Sequence, residues 1–304
     1  MRMQTVSWSE HMLSECRLCP RMCGVNRSNG EIGFCGAGAD VKIARAALHF
    51  WEEPCISGKN GSGTVFFSCC NMKCIYCQNY GISTRNNGYF VSEKELADTF
   101  LTLQNQGANN INLVTPTHFV PQIISALDVA KKRGLKLPVV YNCGGYENPE
   151  TIKLLSGYVD IYMPDMKYFS DKYAVEYSAA PNYFETAKNA IDEMFRQVGE
   201  PIFDKKSIMQ RGVIVRHMML PGLLFDTKKI IDYLYDTYKD SIYISLMSQY
   251  TPMPNVRGHP KLGSRLNEKH YDAMAEYCAE KGIKNAYIQD GSSATESFIP
   301  EFFE

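Results

Sequence analysis

Several absences bound the chain before any motif is read. Among its 304 residues no apolar run reaches the roughly 18 residues of a spanning helix, which argues against an α-helical membrane protein. Charge of one sign is not in excess. The 32 Lys and Arg against 33 Asp and Glu leave a net charge of -1, so no global basic field is present to hold a nucleic-acid backbone or an anionic membrane surface. Residues 1–15 lack the apolar stretch of a secretory signal, and a cytoplasmic location is expected. Internal repeats and low-complexity tracts are missing too. With 45% hydrophobic and 21% charged residues, the composition fits a globular protein of about two domains, or a single α/β barrel.

Cysteine is what the chain has in plenty, and unevenly. Nine of the 11 cysteines fall at positions 16, 19, 23, 35, 55, 69, 70, 74 and 77, whereas Cys143 and Cys278 stand alone and read as buried core thiols. In a cytosolic setting, spacings of two and three residues point to metal or iron–sulfur ligation rather than disulfides. Residues 16–63 are rich in Gly, Cys and Asn and show little hydrophobic periodicity. They read as loop, within a small Cys-rich module spanning 1–62.

From Gly63 the pattern changes to short apolar runs alternating with amphipathic segments, the arrangement that builds a parallel sheet through βα units. Strands are predicted at 64–68, 110–115, 137–142, 159–163, 212–219 and 242–247, with a seventh at 286–288. Ser92 and Glu95 form a capping box for the helix that Gly107 ends, and a helix over 121–133 closes with Lys131, Lys132 and Arg133. Further helices are predicted at 149–155, 184–198, 227–236 and 267–280, with Asn148 and Asp226 as N-caps. The fold class is therefore α/β, a partial (β/α)6 TIM-like barrel over 63–290 with a tail at 291–304. Right-handed crossovers put every strand's C-terminal end on one face, where chemistry should gather.

Just past the first of these strands the chain reads Cys70-Asn71-Met72-Lys73-Cys74-Ile75-Tyr76-Cys77. Three thiolates can hold a [4Fe-4S] cube and leave one iron without a protein ligand, as a catalytic metal site keeps an open position. A zinc knuckle, or three core thiols, are the alternatives.

The C-x3-C-x-aromatic-C spacing resembles the signature of the radical S-adenosylmethionine (SAM) superfamily. The flanking Phe66-Phe67-Ser68 and Gln78-Asn79-Tyr80 look like the branch related to pyruvate formate-lyase-activating enzymes. Segments 112–118, 160–167 and Pro300-Glu301-Phe302 share that likeness. The resemblance implies that SAM chelates the open iron and is cleaved reductively, giving a 5′-deoxyadenosyl radical that abstracts hydrogen. Cys70, Cys74 and Cys77 would hold the cluster. It places Tyr76, Thr115, Thr117, His118, Asn142, Asp165, Lys167, Arg216 and Gln249 near SAM. The chain has Thr115-Pro116-Thr117-His118 where many members carry Gly-Gly-Glu, and Asn142 where activating enzymes tend to be acidic.

Cys16, Cys19, Cys23 and Cys35 supply four thiols with glycines between them, a set that suits a structural zinc or an auxiliary cluster. The expected partners are a protein or peptide substrate, by analogy a glycyl radical enzyme, and a one-electron donor such as flavodoxin or ferredoxin. Modification of a small metabolite, or electron transfer without SAM cleavage, are the other functions that the residues allow.

Overall fold

The protein is described by a computed structural model over residues 8–289. The tail at 291–304, with Pro300-Glu301-Phe302, lies outside the described residues. In chain order the strands are β1 (Val41–His49), β2 (Ser62–Phe67), β3 (Tyr89–Val91), β4 (Ile111–Val114), β5 (Val139–Cys143), β6 (Ile161–Pro164), β7 (Ile202–Phe203), β8 (Met209–Met218), β9 (Tyr243–Met247) and β10 (Ala286–Ile288). The helices are α1 (Trp8–Ser14), α2 (Pro54–Ser57), α3 (Tyr80–Ser83), α4 (Glu93–Asn105), α5 (Val120–Lys132), α6 (Pro149–Leu154), α7 (Asp171–Ser178), α8 (Tyr183–Val198), α9 (Leu224–Tyr238) and α10 (Glu268–Glu280).

The strand order is β10-β9-β8-β6-β5-β4-β2-β1-β3. Every pair from β2 to β10 along that path is parallel. β1 and β3 add antiparallel strands beyond β2, and β7 hairpins onto β8. Among the described residues the sheet ends at β3 and β10 without closing, so the barrel is partial. The predicted strands are all present within a few residues, because buried runs such as Ile111–Val114 and Val139–Cys143 have apolar side chains on both faces of the sheet. Ser92 and Glu95 make the expected reciprocal capping box, and the Asn148 side chain caps α6.

Three expectations fail locally. The segment 41–49, read as loop, is strand β1, in which Val41, Ile43 and Ala44 are buried while Lys42 and Arg45 break the apolar pattern. The sheet therefore begins inside the Cys-rich module. Asp226 does not cap α9. The helix starts at Leu224, and the Asp226 carboxylate accepts hydrogen bonds from the backbone N–H groups of Phe169 (2.8 Å) and Ser170 (2.9 Å), tying the loop after β6 to α9. Helix α7 is absent from the expectations because its eight residues are too short for a periodic signal.

The lower end of the barrel is corked from the N-terminal side. Strand β1 runs antiparallel to β2, so its C-terminal end delivers residues 50–58 to the foot of the parallel strands. Pro54 opens α2 at a helix N-terminal position, and Cys55 and Ile56 pack against Val140, Ile161, Met163, Met209 and Ile214. Asn109 and Asn110 pin the cork by donating to the Ser57 and Ile56 carbonyls at 2.6 and 2.8 Å. Gly58 (φ +47°) closes the turn where a Cβ would stand 2.4 Å from Ile208 Cδ1.

Candidate functional site

The cysteine loop leaves the C-terminal end of β2 at Ser68 and turns sharply. Cys69 (φ +77°) and Lys73 (φ +61°) occupy the left-handed region, and backbone bonds from Cys69 N to Ile82 O (2.8 Å) and from Ile75 N to Tyr177 O (2.9 Å) hold the loop in place. Each of the three thiols has its own hydrogen-bond donor. Met72 N–H points at Cys70 Sγ (3.4 Å), the Ser178 hydroxyl at Cys74 Sγ (2.9 Å), and the Ser83 hydroxyl at Cys77 Sγ (3.3 Å). Such donors stabilise a thiolate and its metal.

Burial, then the neighbouring Cys74, pushes the Cys70 thiol up to about 12, and the same two causes push Cys77 up to about 11. Cys70 and Cys77 thus hold their protons tightly, and a cationic centre bound there favours the thiolates in their place. Among the described residues no three His, Cys, Asp or Glu side chains converge on a single metal ion. Three neighbouring thiols with separate donors suit an iron–sulfur cube, which is wider than one ion.

Ser178 belongs to a chain of hydroxyls. Tyr76 and Tyr168 share a hydrogen bond of 2.7 Å, Tyr168 and Ser178 one of 2.6 Å, and Ser178 then meets Cys74. Ser178 is the last residue of α7, which places the hydroxyl, and no signal in the sequence marks it. We expect Ser178→Ala to lower the midpoint potential of the reconstituted cluster, because a hydrogen bond that favours the reduced, more negative state is lost. A redox titration followed by electron paramagnetic resonance checks this, and an unchanged potential contradicts it.

Beside the loop lies a cavity of about 630 Å³ in the barrel lumen. Cys74, Tyr76, Cys77, Asn142, Asp165, Lys167, Arg216 and Gln249 line it, together with Glu52 and Glu53 from the cork. Arg216 is fully engaged. Its Nε donates to Asp165 (3.0 Å), one terminal nitrogen to Glu52 (3.2 Å) and the other to Asn142 Oδ1 (2.6 Å). Lys167 pairs with the second Asp165 oxygen. Burial works against the Asp165 carboxylate, but Lys167 and Arg216 outweigh it and hold its pKa below the usual range. Burial likewise opposes the Lys167 charge, and Asp165 reverses the effect, so its pKa is raised. Asp165, Lys167 and Arg216 are thus charged in a low-dielectric lumen.

Thr117 and His118 are placed elsewhere. The Thr117 hydroxyl donates to Glu147 (2.7 Å), and His118 Nε2 bonds the Ser68 carbonyl (2.7 Å). Burial pushes His118 down to about 3, so the ring is neutral and braces the cysteine loop. Neither of them nor Thr115 (φ +58°) lines the cavity. Glu147 is itself a buried carboxyl whose pKa burial raises to about 7.

The N-terminal cysteines gather against the cysteine loop. Cys16, Cys19 and Cys35 are buried and Cys23 is exposed. Electrostatic neighbours include Cys16 and Cys35 for Cys19, and Cys16 and Cys23 for Cys35. The Cys35 carbonyl accepts from Cys70 N (3.4 Å), and Arg21 Nε donates to the Asn71 carbonyl (2.9 Å). Arg27, buried, ties the module to the barrel through the Gly38 and His118 carbonyls and lies 3.9 Å from Cys16 Sγ.

Sequence reasoning missed Glu52, Glu53, Ser178 and Arg27. Glu52 and Glu53 fall in the stretch read as loop, where nothing local marks them. Only the antiparallel course of β1 turns them into the lumen.

Comparisons with known proteins bear on the family and the fold. Residues 64–234 match the family model described as the radical SAM superfamily. An uncharacterized protein of Methanocaldococcus jannaschii is 29% identical over 292 residues, covering 93% of this chain and 79% of that one. A radical SAM methyltransferase from Sphaerobacter thermophilus superposes with a TM-score of 0.52 at 13% identity, over 75% of this chain and 66% of its own. Streptococcus suis SuiB bound to S-adenosylmethionine superposes with a TM-score of 0.49 at 10% identity, over 73% of this chain and 48% of its own. The chain thus spans about half to two thirds of those solved structures, and at such identities the likeness concerns the fold alone.

Proposed function

Because the chain belongs to the radical SAM superfamily, we propose that Cys70, Cys74 and Cys77 hold a [4Fe-4S] cluster at which SAM is cleaved, and that the substrate is a protein or peptide. Activation of a glycyl radical enzyme is the concrete form of this reading, with flavodoxin or ferredoxin as the one-electron donor. When bound, the cluster supplies the electron that splits SAM into methionine and a 5′-deoxyadenosyl radical, which takes hydrogen from the partner.

The protein's own residues would bind, orient and exclude. Lys167 gives one bond to Asp165 and keeps ammonium donors for the SAM carboxylate, while Asp165 and Asn142 are fixed in place by Arg216. Tyr76, wedged edge-on against Tyr250 (ring centroids 6.0 Å apart), offers an aromatic wall beside the thiols. Phe66, Val114, Met218 and Met247 line the cavity, and the cork closes its foot, which keeps water from a reactive radical. Cys16, Cys19, Cys23 and Cys35 are proposed to hold a second metal, zinc or an auxiliary cluster.

One observation carries the reading: three thiols, each with its own donor, share the loop after β2, and two of them, Cys74 and Cys77, line the charged lumen. Anaerobic reconstitution with iron and sulfide, followed by dithionite and SAM, is expected to release 5′-deoxyadenosine and methionine. Reconstituted protein that releases neither overturns the proposal.

A further inference from the structure

Glu53 differs from the other charged residues of the lumen in that it is only half satisfied: Ser245 and the backbone bond its carboxyl, but one oxygen has no partner. It stands immediately before α2, is 8% exposed, and lines the cavity, and its Oε2 is buried without a hydrogen-bond partner. A bare buried carboxylate oxygen is costly, so its persistence calls for an explanation. Arg216 lends it opposite charge, but neither cation nearby gives it a hydrogen bond. Arg216 directs its three donor groups at Asp165, Glu52 and Asn142, and Lys167 turns to Asp165. Among the lining residues three carboxylates, Glu52, Glu53 and Asp165, face two cations, Lys167 and Arg216. His49 does not redress the balance, because burial and then Arg45 lower its pKa.

The orphan oxygen is an acceptor, so the complement it lacks is a donor, and three lining carboxyl groups against two cations favour a positively charged one. Burial raises the Glu53 pKa and Glu52 adds to this, against Arg216. Phe50, Trp51 and Ile288, which also line the cavity, expose apolar surface that suits the carbon stem of a long side chain.

We propose that the lumen receives a cationic nitrogen, the ammonium or guanidinium of a basic side chain on the partner peptide, and that Glu53 positions it. The inference rests on the lumen being the place where substrate meets the radical. Binding itself needs no electron, so it can be tested apart from SAM cleavage.

Isothermal titration of the full chain, reconstituted and saturated with SAM, is made with N-acetyl-lysine methylamide and with its uncharged counterpart N-acetyl-norleucine methylamide. The lysine probe is expected to bind roughly 10- to 100-fold more tightly, the range of one charge-assisted hydrogen bond. Glu53→Gln is expected to abolish that preference. Glu53→Asp, which keeps the charge, is expected to retain part of it and serves should Glu53→Gln fail to fold.

Equal affinity for the two probes, or a preference that survives Glu53→Gln, overturns the proposal. So does a Glu53→Gln variant that loses affinity for SAM while its preference for lysine is unchanged, since Glu53 would then serve the nucleotide. Release of 5′-deoxyadenosine is scored on the same preparations. If it fails while the lysine preference holds, the radical reading falls and the binding site stands.

Discussion

Replacement of Cys70, Cys74 or Cys77 by alanine, one at a time, is expected to abolish 5′-deoxyadenosine release and to strip the cube's iron from the reconstituted protein. Two thiolates cannot hold a cube against exchange with solvent. Cys69 is adjacent in sequence, but it lines a second cavity, with Arg27, Ala37 and Phe119, and not the lumen. Its alanine variant keeps the positive φ of the native residue and should therefore retain iron and cleave SAM within a few-fold of wild type. Iron analysis of the four variants, alongside the release assay, is the check. Loss of release in Cys69→Ala, or its retention in Cys74→Ala, contradicts the ligand assignment.

Arg216→Met is expected to cost about 3–5 kcal/mol of stability, the range found when one partner of a buried ion pair is removed. The guanidinium binds Asp165, Glu52 and Asn142 at once, and both carboxylates are largely shielded from water. Glu52 and Glu53 both suffer, because burial raises their pKa values and Arg216 opposes that rise. Thermal unfolding of the variant should show a midpoint on the order of 10 °C lower. Adding Glu52→Gln to Arg216→Met should recover part of the loss, since the stranded charge is then gone. A single variant within about 1 kcal/mol of wild type would mean that the lumen charges are hydrated and independent.

The comparison of sequence with structure separates local from tertiary information. Strands β4, β5 and β6 are legible because both of their faces are buried, and α4 because Ser92 and Glu95 cap it reciprocally. The cysteine loop is legible from spacing alone. What escapes is whatever depends on the direction of a neighbouring strand. β1 carries Lys42 and Arg45 among its apolar residues and so resembles a loop, yet its antiparallel course is what carries Glu52 and Glu53 into the lumen. Thr117 and His118 follow a strand end, as a ligand-binding pair would, but their side chains turn to Glu147 and to the Ser68 carbonyl. Lys167 and Asp165 are found where the sequence puts them. The commitment of Arg216 to Glu52 is visible only once β8 and the cork are seen together.

The most direct test of the account is electron paramagnetic resonance of the dithionite-reduced, reconstituted protein before and after SAM is added. An iron left without a protein ligand by Cys70, Cys74 and Cys77 predicts a reduced-cluster signal whose g-values shift when the nucleotide binds. A signal that SAM leaves unaltered, or reconstituted protein with no cluster signal, would contradict it.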